Sequence, residues 1–196
     1  MFLGRLAAVA ALAVGGILLK KKLAPRQGAG VSSTIEDSIE VEVPVRTAYN
    51  QWTQFEDFPK FMKDVEEVRQ LDDTHLHWRA RIAGKPTEWD AEITHQIPDR
   101  RIGWHSTSGP PHSGVVTFER VLDNRTRVTL RMSYQPRGVV ENLGDALGAV
   151  KLEVAGNLHR FAEFIESRRS ETGGWRGTVD GGGIVGSAPV KETTGP

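Results

Sequence analysis

The sequence predicts an α+β domain across residues 34–169, a curved antiparallel sheet of about seven strands wrapped on one long C-terminal helix, in the order β-α-α-β(about six)-α. Three observations carry this. Short runs alternate apolar and polar residues, turn-forming residues separate the runs, and the final run changes from a two-residue period to a helical one. A twisted sheet with one apolar face needs a cover, and only the final helix is long enough to supply it.

The first strand reads from Ser38 to Val43, where Ile39, Val41 and Val43 alternate with Glu40 and Glu42. Pro44 stops it, and Arg46 to Phe55 follows with Ala48, Trp52 and Phe55 at helical spacing. Phe58-Pro59-Lys60-Phe61-Met62 begins a second short helical piece, because proline suits a first turn. Strand runs then carry Leu76, Trp78, Ala80 and Ile82; Trp89, Ala91 and Ile93; Ile102 and Trp104; Val115 to Val121; and finally Val128, Leu130, Met132 and Tyr134. Asp72-Asp73, Gly84-Lys85-Pro86, Pro98-Asp99, Ser108-Gly109-Pro110-Pro111 and Asp123-Asn124 fall between the runs, as antiparallel hairpins require. In the closing helix, Leu147 to Arg169, the residues Val150, Val154, Leu158, Phe161 and Ile165 share one stripe.

With 196 residues, 38% hydrophobic and 26% charged, the chain has room for one core with appendages. Lys+Arg and Asp+Glu both number 25, so there is no basic field of the kind nucleic-acid binding relies on, and no nucleic-acid partner is expected. No cysteine is present, which excludes disulfides, thiolate nucleophiles and Cys-ligated metal centres.

The appendages differ in character. Residues 1–19 hold an uncharged run from Leu6 to Leu19 closed by Lys20, Lys21 and Lys22, which reads as an uncleaved membrane anchor. As a helix, Phe2 to Leu19 would span roughly 27 Å, close to a hydrocarbon core. The lysines after the run place the following domain on the cytoplasmic side. A cleaved signal peptide fits less well, since the positive cluster follows the apolar run instead of preceding it. Residues 20–33, with Pro25 and Gly28-Ala29-Gly30, read as a flexible linker, and the Gly/Thr/Ser-rich residues 170–196 as a disordered tail.

Val43-Pro44-Val45 leading into Ala48-Tyr49-Asn50-Gln51-Trp52, then Phe55 to Met62, Trp89-Asp90-Ala91-Glu92-Ile93, Ile102-Gly103-Trp104, Gly114 to Glu119 and Arg125-Thr126-Arg127-Val128 together resemble the polyketide cyclase/dehydrase and START-like lipid-transfer branch of the Bet v 1-like superfamily. The chain is also similar to coenzyme Q-binding START-domain proteins. The resemblance covers Ser38 to Glu166 and implies a helix-grip fold with an apolar cavity, without implying one reaction.

By strand phase, Trp78, Trp89, Trp104, Phe118, Met132 and Tyr134 face the space under the closing helix. Such aromatics either pack solid or line a cavity, and the resemblance favours the cavity. His95 continues the face of Trp89, Ala91 and Ile93, and Ser106 that of Ile102 and Trp104, so both are candidate polar groups inside it. His75 and His77 share a strand face, but Arg79 and Arg81 continue it, so no metal site is expected. No cofactor and no catalytic residue is assigned, and no Gly-x-Ser-x-Gly nucleophile elbow occurs.

The function expected from this is membrane-tethered binding or transfer of a hydrophobic small molecule, such as a lipid, quinone or polyketide-like compound. The alternatives are a cyclase or dehydratase using His95 or Tyr134, and a stress-response or protein-interaction accessory domain.

Overall fold

A computed structural model describes residues 33–82, 84–134 and 143–186. The expected anchor, and the expected linker up to residue 32, lie outside the described residues. Among the described residues no helix is long and apolar enough to cross a membrane.

The chain runs β1 (Ser33–Val41), α1 (Val45–Trp52), a 3-10 helix (Phe55–Lys60), β2 (Val65–Gln70), β3 (His75–Ile82), β4 (Lys85–Ile97), β5 (Arg101–Ser106), β6 (His112–Leu122), β7 (Arg125–Tyr134), α2 (Leu143–Arg168), β8 (Thr178–Asp180) and β9 (Gly183–Gly186). Seven strands form one antiparallel sheet in the order β1-β7-β6-β5-β4-β3-β2, and the β8–β9 hairpin joins through β4. The expected α+β architecture is therefore present, the β8–β9 hairpin bringing the sheet to nine strands among the described residues.

The core lies between the inner face of the sheet and the helices. Val154, Leu158, Phe161, Ala162 and Ile165 of α2 are buried there, on the stripe that helical periodicity predicts. Trp52 of α1 meets Phe58, Phe118 and Phe161 edge-on at centroid distances of 5.6, 6.1 and 4.8 Å. These geometries suit the ring quadrupoles and lock α1, the 3-10 helix, β6 and α2 into one cluster. The Arg160 guanidinium donates to the Phe61 carbonyl at 2.7 Å, and the Glu42 N–H donates to Glu166 at 2.8 Å, so polar bonds fix both ends of that contact.

β-Bulges in β2 and β4 alter the strand phases. The register shifts between Val65 and Glu67 in β2 and between Ile93 and His95 in β4. A bulge inserts one unpaired residue, so every side chain beyond it changes face. In β4 this turns His95 outward, where its side chain is 46% exposed, and brings Gln96 inward at 1% exposure. His95 therefore does not face the interior as the sequence phase implied; Gln96 takes that place.

The expected disordered tail is also corrected over residues 170–186. Beyond Glu92, β3 no longer pairs with β4, and β8 occupies that free edge through His95↔Asp180 and Gln96↔Val179. Side chains of α1 and of its C-cap residue Thr53 hold the approach to β8. Asn50 donates to Glu171 at 2.9 Å, Gln51 accepts from the Thr172 N–H at 3.0 Å, and the Thr53 hydroxyl accepts from the Trp175 N–H at 2.9 Å. Arg176 grips Asp99 with two bonds of 2.9 and 2.7 Å, donates to Asn50, and lies over the Tyr49 ring at 5.6 Å. Asn50 and Gln51 of α1 and its cap residue Thr53 are buried polar residues, and this strap satisfies them. The last ten residues, 187–196, lie outside the described residues.

Candidate functional site

At the end of the sheet remote from the strap, the inner face carries a half-buried aromatic patch. Trp78 of β3 and Trp89 of β4 are register partners, and their rings stack at 5.6 Å with an interplanar angle of 10°. Phe58 meets the Trp78 ring edge-on at 5.6 Å. His112, the first residue of β6, meets Trp89 edge-on at 5.7 Å and 83°. Further across the sheet, Trp104, Gly114 and Met132 are successive register partners on β5, β6 and β7.

Gly114 is what lets Trp104 lie flat. A Cβ placed there would sit 2.3 Å from the indole Cζ2, so any side chain would displace the ring. The β5–β6 connection closes on Trp89 in a similar way. Gly109 adopts φ +70°, a conformation that favours glycine, and a Cβ there would come within 2.8 Å of the Trp89 Cβ. This connection is pinned to β4. The Ser108 hydroxyl donates to the Asp90 carboxylate at 2.9 Å and accepts from the Asp90 N–H at 2.8 Å, while the Thr107 N–H donates to the Asp90 carbonyl at 2.8 Å. Asp90 also accepts from His77 at 2.8 Å; that bond, followed by the one from Ser108, holds its carboxyl below the usual range.

Of the interior candidates, Trp78, Trp89, Trp104 and Met132 are half-buried on this face. Phe118 is 4% exposed and enclosed between Tyr49 and Trp52, so it sits deep in the core away from the patch. The Ser106 hydroxyl accepts from the His112 N–H at 3.0 Å and thereby sets the start of β6. Tyr134 ends β7 opposite His112 and Ser33, and its side chain lies outside the described residues. His95 lies on the outer face, 3.2 Å from Asp180 and 3.1 Å from the Thr94 hydroxyl. His75 turns to Asp72 at 2.9 Å, and among the described residues no group of three or more His, Asp or Glu side chains is gathered to hold a metal.

His112 is the polar group on this face that sequence reading overlooked. Its ring Nδ1 lies 2.9 Å from the Pro110 carbonyl oxygen, which can only accept, so Nδ1 carries the proton and Nε2 the lone pair. Burial pushes its pKa down, keeping the ring neutral at physiological pH, while the bond to Pro110 opposes that shift. The signal was available: His112 is in phase with Gly114, Val116 and Phe118 on β6. The breaker-rich Gly109-Pro110-Pro111 hid it by making the residue read as loop.

A family model described as polyketide cyclase/dehydrase and lipid transport matches residues 41–163. An uncharacterized 17.2 kDa protein of Streptomyces lincolnensis is 54% identical over 148 residues, which is 75% of this chain and 99% of that protein. The fold is shared with an aromatase/cyclase from Streptomyces sp. R1128 at TM-score 0.61 and 15% identity, covering 73% of this chain and 99% of that one. It is shared too with a START superfamily protein of Mycobacterium smegmatis at TM-score 0.57 and 14% identity, covering 69% and 95% respectively.

Proposed function

Because the chain belongs to the polyketide cyclase/dehydrase and lipid transport family, we propose that it binds a hydrophobic small molecule at the aromatic patch and carries it as a transfer or storage module. The observation that supports this best is the half-buried stack of Trp78 and Trp89, extended by Trp104 and Met132 across the same face. Aromatic surface left half-open beside a packed core is what an apolar ligand needs, since burying it returns about 25 cal/mol per Å². Native mass spectrometry of the purified chain, followed by organic extraction, should recover a bound apolar compound. Recovery of none, together with no quenching of tryptophan fluorescence by any apolar probe, would refute the proposal.

The membrane anchor remains part of the proposed function, supported by the uncharged run Leu6 to Leu19 and the lysines that follow. The domain would then face the cytoplasm at the surface from which its ligand is drawn. The full chain should stay with membranes through carbonate and high salt, because salt screens lysine–lipid attraction but does not loosen an inserted helix. Release by salt alone, or a mature N-terminus lying within the apolar run, would rule the anchor out.

A second reading, an enzyme of the cyclase or dehydratase kind, draws on His112. A neutral imidazole with its tautomer fixed by Pro110 is equipped to take a proton at Nε2. It replaces His95 as the acid–base candidate. Turnover of a polyketide-like substrate, lost in His112→Phe with ligand binding retained, would promote this reading above the carrier.

A further inference from the structure

We infer that Trp78 selects the ligand through its indole Nε1–H, so that the compound bound is a flat ring system bearing a carbonyl or comparable oxygen acceptor at its edge. This rests on the patch being the ligand site, as proposed above. Among the described residues two buried side-chain polar atoms have no hydrogen-bond partner, Asp64 Oδ2 and Trp78 Nε1. Asp64 stands just before β2, whereas Trp78 stands within the aromatic patch. Buried polar groups in folded proteins are nearly always paired, so an unpaired one on a candidate site points to a missing partner. An indole nitrogen can only donate, which makes that partner an acceptor.

No acceptor among the described residues bonds it. The Trp78 ring is flanked by the Phe58 edge and the Trp89 face, and its register partner on β2 is the buried Val68. The polar neighbours in sequence, His77 and Arg79, point to the opposite face by strand alternation and are engaged there with Asp90 and with Glu66 and Glu67. The two tryptophans therefore stack into a flat apolar wall that holds one buried, unpaired N–H. A saturated acyl chain would cover the wall and leave the N–H unpaired, while a planar ketone would satisfy both. Sites built to hydrogen-bond a ligand discriminate strongly against analogues lacking the matching atom.

The test uses a matched pair of probes, 9-fluorenone and fluorene, which share shape but differ in the carbonyl oxygen. Equilibrium dialysis against the full chain should show a fluorenone-over-fluorene preference that falls about tenfold in Trp78→Phe, a change that keeps a ring and removes the donor. An equal ratio in wild type and variant would overturn the inference. If Trp78→Phe does not fold, the wild-type chain decides alone. Its five tryptophans give five indole N–H resonances, and that of Trp78 should move downfield with fluorenone but not with fluorene. No such movement would overturn the inference, because it would mean the N–H does not meet the carbonyl. Absence of binding by both probes is a different failure, since it removes the ligand site itself and the proposed function with it.

Discussion

The side-chain amide of Gln96 donates to the hydroxyl of Tyr49 across 2.9 Å, joining the middle of the sheet to α1 at a point where both side chains are buried. The two residues are 47 positions apart, and only the bulge in β4 turns Gln96 toward its partner.

Removing one member of this pair should cost more than removing both. Gln96→Leu leaves the Tyr49 hydroxyl buried without its partner, a loss of about 1–3 kcal/mol. Adding Tyr49→Phe should recover part of that loss, because two apolar groups no longer have polar needs. Urea unfolding of the two single variants and the double variant measures the coupling, and strict additivity would show that the bond contributes nothing.

Burial pushes the Tyr49 hydroxyl up to about 12, against an opposing effect of the bond from Gln96. Its folded pKa exceeds the unfolded value near 10, so the folded state holds the proton more tightly. The resulting stabilisation is complete below about pH 10 and is lost as pH rises toward about 12. Alkaline unfolding followed by circular dichroism should be steeper in wild type than in Tyr49→Phe over that window, with little difference at neutral pH beyond a constant offset.

Gly114→Val should displace the Trp104 indole, since the new Cβ would fall 2.3 Å from that ring. Overpacking of this kind costs about 1–3 kcal/mol. The fluorescence of the variant should shift toward that of exposed tryptophan, and its affinity for apolar probes should fall. A variant with unchanged emission and affinity would place Trp104 elsewhere.

Arg176→Ala removes the two bonds to Asp99 and the cover over Tyr49 at once. Both charged side chains are partly exposed, so solvent screening limits the expected loss to about 1–2 kcal/mol. The local effect should be larger than the global one: chymotrypsin should cut at Trp175 much faster in the variant than in wild type, well before the domain unfolds. Equal cleavage rates would mean the strap is held by β8 alone.

Much of this architecture could be read from residue spacing, and the exceptions have identifiable causes. The runs of β3 and β7 and the α2 stripe from Val154 to Ile165 obey simple periods, because their buried apolar residues keep to one face. The unrecognised strand β2 has Val65 and Val68 three apart, a spacing that belongs to neither a regular strand nor a convincing helix, and a bulge lies between them. The same device in β4 misdirected His95 and concealed Gln96. Nothing in sequence phase announces a bulge, since it is decided by pairing with another strand. The strap was invisible for a different reason: polar exchanges with α1 and a vacant strand edge order it, and neither leaves a hydrophobic period. The patch was partly legible, because its tryptophans follow strand alternation, whereas His112 lay behind two prolines.

The Trp175 N–H reaches the Thr53 hydroxyl across 122 positions, and α1, which Thr53 caps, holds Glu171, Thr172 and Arg176. A chain emerging from the ribosome makes α1 early and residues 170–180 late. The family-matched region, 41–163, is therefore complete before the partners of Asn50, Gln51 and Thr53 have been synthesised. Until translation nears its end, the nascent domain carries an open polar groove and an unpaired β4 edge, and a premature stop after Arg169 would make that unlatched state permanent.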